Sequence, residues 1–372
     1  MRSRFHAIGN DHLDYHSGRT VSSFQRKEIP FTDRSYSALP RALFTIFVLV
    51  LAYGPGRADD YPTCELKTEG LRGVIYLPDP VKGFYRGSRF DWSGVLGHVE
   101  FASHELFTRW LGGVHNPTNF EAILGPVEEF GTAQALGYEE AKVGETFLKI
   151  GVGELQKPPE KGYGNLRNYR VVKPGAWTVD RPGPDQVRFT QAVRTANGYG
   201  YWYEKTIAAE SVKQAQGQQP SARLTIAHRL KNTGVKPLVT DVYNHNFFNI
   251  DKDPVGPHYE LQFPFPVAAA GPRERFNEVI ELSGKELRLR KAIDTGSVFS
   301  ELTGFDRTTD AGFTLRHTPS AIRVTVVGTE PLSKFNLWGV SSTLCPEPFH
   351  ALNLQPGEEK AWTWEYRLQK KG

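Results

Sequence analysis

Three short stretches of the chain set titratable groups among aromatic rings. The first, Asp241-Val242-Tyr243-Asn244-His245-Asn246-Phe247-Phe248-Asn249-Ile250-Asp251, mixes hydrogen-bonding side chains with flat apolar ones. Tyr243, Phe247 and Phe248 offer faces on which a sugar ring could stack, and Asn244, His245 and Asn249 offer polar contacts. An imidazole whose ordinary pKa lies near neutrality can give or take a proton, although a histidine among aromatics is as readily a hydrogen-bonded structural residue. The second stretch is Leu344-Cys345-Pro346-Glu347-Pro348-Phe349. Each proline fixes its own φ and extends the residue before it, so Glu347 sits on a restrained backbone suited to aiming a carboxylate. The third, Gly83-Phe84-Tyr85-Arg86-Gly87-Ser88-Arg89-Phe90-Asp91-Trp92, presents two guanidinium groups, Arg86 and Arg89, to hydroxyls or anionic oxygens. Packing of surface arginines over aromatic faces would give the same pattern.

The elements that must position these groups read as strands. Apolar residues alternate with polar ones at Val187, Phe189 and Val193, at Leu224, Ile226 and Leu230, at Ile322, Val324 and Val326, and at Trp362, Trp364 and Tyr366. A period of two means one face in a core and one in solvent. Turn signals separate the strands, as at Asn197-Gly198, Asn232-Thr233-Gly234 and Pro356-Gly357. No segment offers three turns of amphipathic helix, and no glycine-rich phosphate loop lies between a strand and a helix. The expected fold class is therefore all-β, a large antiparallel sandwich. The polar stretch 208–222 reads as a long hairpin loop, and the proline-rich stretch 251–275 as an extended loop or edge segment.

Composition narrows the function classes. Of the 372 residues 39% are hydrophobic, enough to fill a core and exclude wholesale disorder. The formal charge of +4 comes from residues 1–58, which hold eight Lys and Arg against four Asp and Glu, so the remainder is neutral and has no footprint for nucleic acid. Residues 42–53, ALFTIFVLVLAY, follow Arg41 and precede small residues up to Ala58. That run is too short to span a membrane and reads as a secretory signal, with no stable membrane anchor once cleaved. The expected organisation is a leader and extension over 1–58 and one sandwich domain over 59–372, exported to the periplasm or beyond. Cys64 and Cys345 are the two cysteines, and whether they pair is open. No Cys/His spacing resembles a zinc site, so no metal is expected, and no nucleophile elbow or Cys–His pair is evident, which argues against a peptide-hydrolysing or nucleophilic enzyme.

The segments YEKTI at 203–207, HRLKNTG at 228–234, YNHNFFNI at 243–250 and LCPEPFHALNLQPGEEKAWTWEY at 344–366, in that order, resemble the galactose mutarotase-like (aldose 1-epimerase) superfamily. The resemblance implies a β-supersandwich with a concave sugar-binding face and an enzyme that interconverts anomers without a cofactor. In that reading Glu347 is the general base and His245 the general acid, and the partner is a small sugar or a glycan. Arg86 and Arg89 fall where the family places a substrate-contacting arginine. Asn244 and Phe248 would line the sugar, and Asp294, with Asp306 as a competitor, would grip its hydroxyls. The chain departs from the family in lacking a second histidine in a Leu-His-Gly context, since His98, His104 and His115 lie in other surroundings. Two alternatives share the fold: an exported carbohydrate-binding protein without turnover, and a hexose-6-phosphate 1-epimerase-like enzyme using the arginines for phosphate.

Overall fold

The computed structural model describes residues 61–212, 219–271 and 274–371. The expected leader and extension over 1–58 lie outside the described residues. Two large antiparallel sheets carry the molecule. The ten-stranded sheet runs, edge to edge, Ile280–Ser283, Glu286–Leu289, Tyr259–Gln262, Gly312–His317, Ile322–Gly328, Glu359–Lys370, Ser221–Asn232, Gly200–Ser211, Gln186–Arg194 and Trp177–Gly183. The six-stranded sheet runs Ala268–Ala270, Val298–Thr303, Lys334–Val340, Thr343–Leu354, Leu238–His245 and Val127–Phe130. A four-stranded sheet of Thr63–Thr68, Leu71–Tyr76, Val95–Phe101 and His104–Glu105, and a three-stranded one of Thr146–Lys149, Gly153–Gln156 and Val171–Pro174, complete it.

The alternation read from the sequence decides which side chains fill the core. Val187, Phe189, Leu224, Ile226, Leu230, Ile322, Val324, Val326, Trp362, Trp364 and Tyr366 are all buried in one cluster with Leu238, Val242, Leu337 and Leu352 of the six-stranded sheet. Burying each such side chain contributes about 1.5–3 kcal/mol, so this inter-sheet layer is the main hydrophobic support of the fold. A second cluster lies over the other face of the six-stranded sheet. There Val127, Phe247 and Cys345 meet Phe84, Tyr85, Phe90, Trp92, Phe147 and Leu155.

Turn chemistry sets the register. Gly198 has φ +93 and closes the hairpin between Gln186–Arg194 and Gly200–Ser211. At Gly234 a Cβ would stand 2.5 Å from the backbone nitrogen of Gly200, so only glycine lets these two turns touch. Asn232 fastens the same corner: its Nδ2 donates to the carbonyls of Lys236 and Leu354, and its Oδ1 accepts from the Gly234 amide.

Two stretches differ from the sequence expectation. The strands flanking 208–222 reach further than expected, to Ser211 and from Ser221, because every residue to Ser211 finds a cross-strand partner. In 251–275 the segment Tyr259–Gln262 is an interior strand of the ten-stranded sheet, paired on both sides. The prolines at 254, 257, 264 and 266 bracket it without entering it, so its amides stay free to donate. Cys64 and Cys345 are both buried free thiols, one on the four-stranded and one on the six-stranded sheet.

Candidate functional site

The outer face of the six-stranded sheet carries polar groups that strand alternation places in two adjacent rows. In one row Glu129 is paired with Tyr243, Tyr243 with Phe349, and Phe349 with Lys334. In the next, Val127 is paired with His245, and Asn336 with Glu347. His245 ends its strand beside Glu347, and His245 Nε2 lies 3.2 Å from Glu347 Oε1. Residues 102 places apart in sequence thus meet because two neighbouring antiparallel strands present the same face.

Both groups are nearly enclosed, with 4% and 5% of their surface exposed. The His245 ring stacks on Phe247 at 3.9 Å between centroids and meets the edges or faces of Phe90 and Trp338 at 5.6 Å. Trp110 stacks on Phe247 and stands edge-on to Trp338, extending the aromatic wall. Burial pushes the Glu347 carboxyl up to about 7, partly opposed by the Arg89 guanidinium and by a hydrogen bond from Asn336 Nδ2 at 3.4 Å. Burial, reinforced by the Arg89 charge, holds His245 well below its ordinary value. The imidazole is therefore neutral at pH 7, and His245 Nδ1 has no hydrogen-bond partner among the described residues.

A charged network adjoins the pair. Arg89 Nε donates to Glu129 Oε2 at 2.8 Å and its Nη2 to Tyr243 Oη at 3.1 Å, while Tyr243 Oη donates to Glu129 Oε2 at 2.6 Å. Lys149 Nζ and Asn165 Nδ2 both donate to Glu129 Oε1 at 3.2 Å. Burial alone would raise Glu129, but Arg89 and Lys149 outweigh it and keep the carboxylate ionised. Lys334 Nζ sits 4.0 Å over the Phe349 ring on the same face.

The structure brings His245, Glu347 and Arg89 together and separates the other expected residues from them. Asn244 points to the inter-sheet side, where its Nδ2 donates to Tyr366 Oη at 3.2 Å. Phe248 is fully buried and packs on Phe107 and Phe313 in the core, so neither side chain is placed to line a sugar on the outer face. Alternation explains Asn244, one residue from both Tyr243 and His245. Phe248 lies beyond the strand end, where its backbone bridges Leu344. Asp294 is exposed and pairs with Arg275 at 3.2 Å, and Asp306 is exposed beside Arg307. Arg86 is half-buried, with Nε lacking a hydrogen-bond partner among the described residues. Sequence reasoning missed Glu129, Lys149, Asn165, Trp110, Trp338 and Asn336. Glu129 had a legible signal: Val127-Glu128-Glu129-Phe130 is an apolar strand with two consecutive carboxylates, one for each face.

Glu128 indeed turns the other way. It pairs with Lys205 and, at 3.4 Å, with His228 in the inter-sheet layer. Lys205 Nζ also lies 3.6 Å from Asp91, which accepts a hydrogen bond from Tyr203 at 3.0 Å. All of these ionisable groups are fully buried.

No protein-family profile and no curated protein sequence matches the chain. Solved structures do. A protein from Synechocystis sp. PCC 6803 superposes with a TM-score of 0.50 at 11% identity, over 86% of this chain and 100% of that one. A galactose mutarotase related enzyme from Lactobacillus acidophilus gives 0.48 at 11% identity, over 82% and 97%. The aldose epimerase homologue from C. elegans gives 0.46 at 13% identity, over 84% and 100%. The chain is an all-β antiparallel sandwich that shares its fold with the Synechocystis protein.

Proposed function

We propose that this chain is an aldose 1-epimerase-like enzyme, with Glu347 and His245 as its proton-transfer pair. One observation carries the reading: a carboxyl oxygen and an imidazole nitrogen 3.2 Å apart, buried against an aromatic wall. The ring oxygen and the C1 hydroxyl of an aldose are bonded to the same carbon, so an acid and a base acting on them must themselves be neighbours. Ring opening moves the C1 hydroxyl proton to the base, breaks the bond from C1 to the ring oxygen with its electron pair going to that oxygen, and protonates it from the acid. Rotation about the C1–C2 bond and the reverse sequence give the other anomer.

The pair needs one mobile proton. With Glu347 as base, that proton stands on His245 while the sugar is closed and on Glu347 while it is open. The surroundings of the pair favour the second arrangement, since burial disfavours both charged forms. The site therefore favours the proton distribution that accompanies the aldehyde. Arg89 is held by Glu129 and Tyr243 beside the pair, where it supplies positive potential and a fixed donor edge. The leader-like residues 42–58 support export, which N-terminal sequencing of the secreted product tests; a mature chain retaining Arg2 would refute processing.

The test of catalysis is polarimetry or NMR on freshly dissolved α-D-glucose and α-D-galactose with the full chain. Wild type is expected to equilibrate anomers faster than buffer, and Glu347→Gln or His245→Asn to lose about 10²–10⁴-fold. If wild type and the double variant equilibrate the sugars equally, catalysis is wrong. Retained glycan binding in that case would leave a carbohydrate-binding protein. A rate that requires the 6-phosphate and is lost in Arg86→Ala would move the substrate to a phosphosugar.

A further inference from the structure

Beyond the end of the Leu238–His245 strand, two imidazoles aim at one carboxylate oxygen. His258 Nδ1 lies 2.7 Å and His317 Nε2 3.0 Å from Asp253 Oδ2, and the three ligand atoms all fall within 4.8 Å of one another. Neither the proposed epimerase site nor the hydrophobic core accounts for this convergence. We propose that Asp253, His258 and His317 form a binding site for a first-row divalent transition metal ion, zinc being the best fit, with one coordination position left to water.

The scaffold holds the three groups in place. Tyr259 is paired with His317 across the Tyr259–Gln262 and Gly312–His317 strands, and the Thr318 amide donates to the His258 carbonyl at 3.0 Å. Both imidazoles are thus anchored to the same strand pair. Asp253 is fixed through its backbone: its amide donates to the Ile250 carbonyl, and its own carbonyl accepts from Asn249 Nδ2 and Tyr259 Oη, each at 3.0 Å. The chain reaches it through Asp251 and Lys252, both at positive φ. His317 is 2% exposed, whereas the His258 side chain is 55% exposed and free to adjust.

The surroundings of His317 suit a metal ligand. His317 Nδ1 lies 2.8 Å from Ser320 Oγ, which also accepts the Ile322 amide. In the tautomer whose Nδ1–H donates to Ser320, the Nε2 lone pair faces Asp253 Oδ2 at 3.0 Å and is available to an ion; in the other, Nε2–H donates to Asp253 and the Ser320 O–H donates to Nδ1. Binding the ion selects the first tautomer. Tetrahedral bonds of about 2.0–2.2 Å to nitrogen and oxygen need only small movements from these separations. Two imidazoles and one carboxylate favour zinc and its neighbours over magnesium or calcium, which prefer all-oxygen sets. The bound ion would clamp 250–258, the segment that follows the His245 strand, to the ten-stranded sheet. The sequence spacing hid the site because His317 lies 64 positions after Asp253.

The experiment uses the full chain, stripped with chelator and titrated with zinc by calorimetry, with cobalt as a spectroscopic probe and magnesium as a comparison. The expected result is one equivalent of zinc, a tetrahedral cobalt visible spectrum, no magnesium binding, and a raised unfolding midpoint with zinc. His258→Ala, a change at an exposed side chain, should weaken zinc binding at least 10-fold and abolish the midpoint rise. His104→Ala, which removes contacts to Asp251 and Lys370 but none to the three ligands, should leave both intact. Failure of wild type to bind zinc, or undiminished binding in His258→Ala, would overturn the site. None of these readouts depends on epimerase activity.

Discussion

Replacing Glu347 by glutamine tests the electrostatics of the proposed site through folding stability, without assuming a substrate. In the folded protein this carboxyl sits at about 7 against an ordinary 4.5, chiefly because burial disfavours its charge. A folded pKa raised above the unfolded one makes a contribution that is fully present below pH 4.5 and is lost as pH rises through 7. At about 1.4 kcal/mol for each tenfold change in proton affinity, the loss approaches 3 kcal/mol at pH 8.5. Glutamine keeps the shape and the contact to Asn336 but has no proton to lose. Urea unfolding of wild type and Glu347→Gln at pH 4 and pH 8.5 should therefore show the difference in stability moving toward the variant by about 3 kcal/mol at the higher pH. His245 is common to both proteins, so its own titration cancels to first order. A difference that stays flat, or that moves toward wild type as pH rises, would show that the Glu347 carboxyl is not held neutral by its surroundings and would refute the proton inventory proposed above.

The other predictions concern activity and the supporting networks. Above about pH 7 the free pair loses its one proton, so kcat/KM for mutarotation should fall there, while the acid limb should begin only well below 6.5 because His245 resists protonation; stopped-flow polarimetry across pH 4–9 would measure both limbs. Lys205→Ala leaves Glu128 and Asp91 buried without their cation and should cost about 3–5 kcal/mol in urea unfolding. Asp294→Ala removes an exposed pair with Arg275 and a local hydrogen bond from the Thr295 amide, so stability should change by less than about 1 kcal/mol and any anomerase rate should match wild type. A large loss of activity there would return Asp294 to the sugar site.

Sequence alone determined the class of fold, because alternation is a local property: Val187, Phe189, Leu224, Ile226, Trp362 and Trp364 each declare a buried face whatever pairs with them. It also singled out His245 and Glu347, whose aromatic and proline neighbours lie within a few residues of each. Local order could not settle which side of a strand a polar residue serves. Asn244 and His245 are adjacent and face opposite ways, as do Glu128 and Glu129, and only the packing of both sheet faces shows which of each pair enters the outer site. The segments that carried the resemblance divide similarly: Lys205, His228 and Asn232 hold the two sheets and a turn together, whereas His245 and Glu347 meet on the outer face of the six-stranded sheet. Tertiary structure alone could bring Glu129, Lys149 and Asn165 to Arg89, or His317 to Asp253, because those contacts depend on the register between strands and on loop paths, which no spacing in the chain encodes.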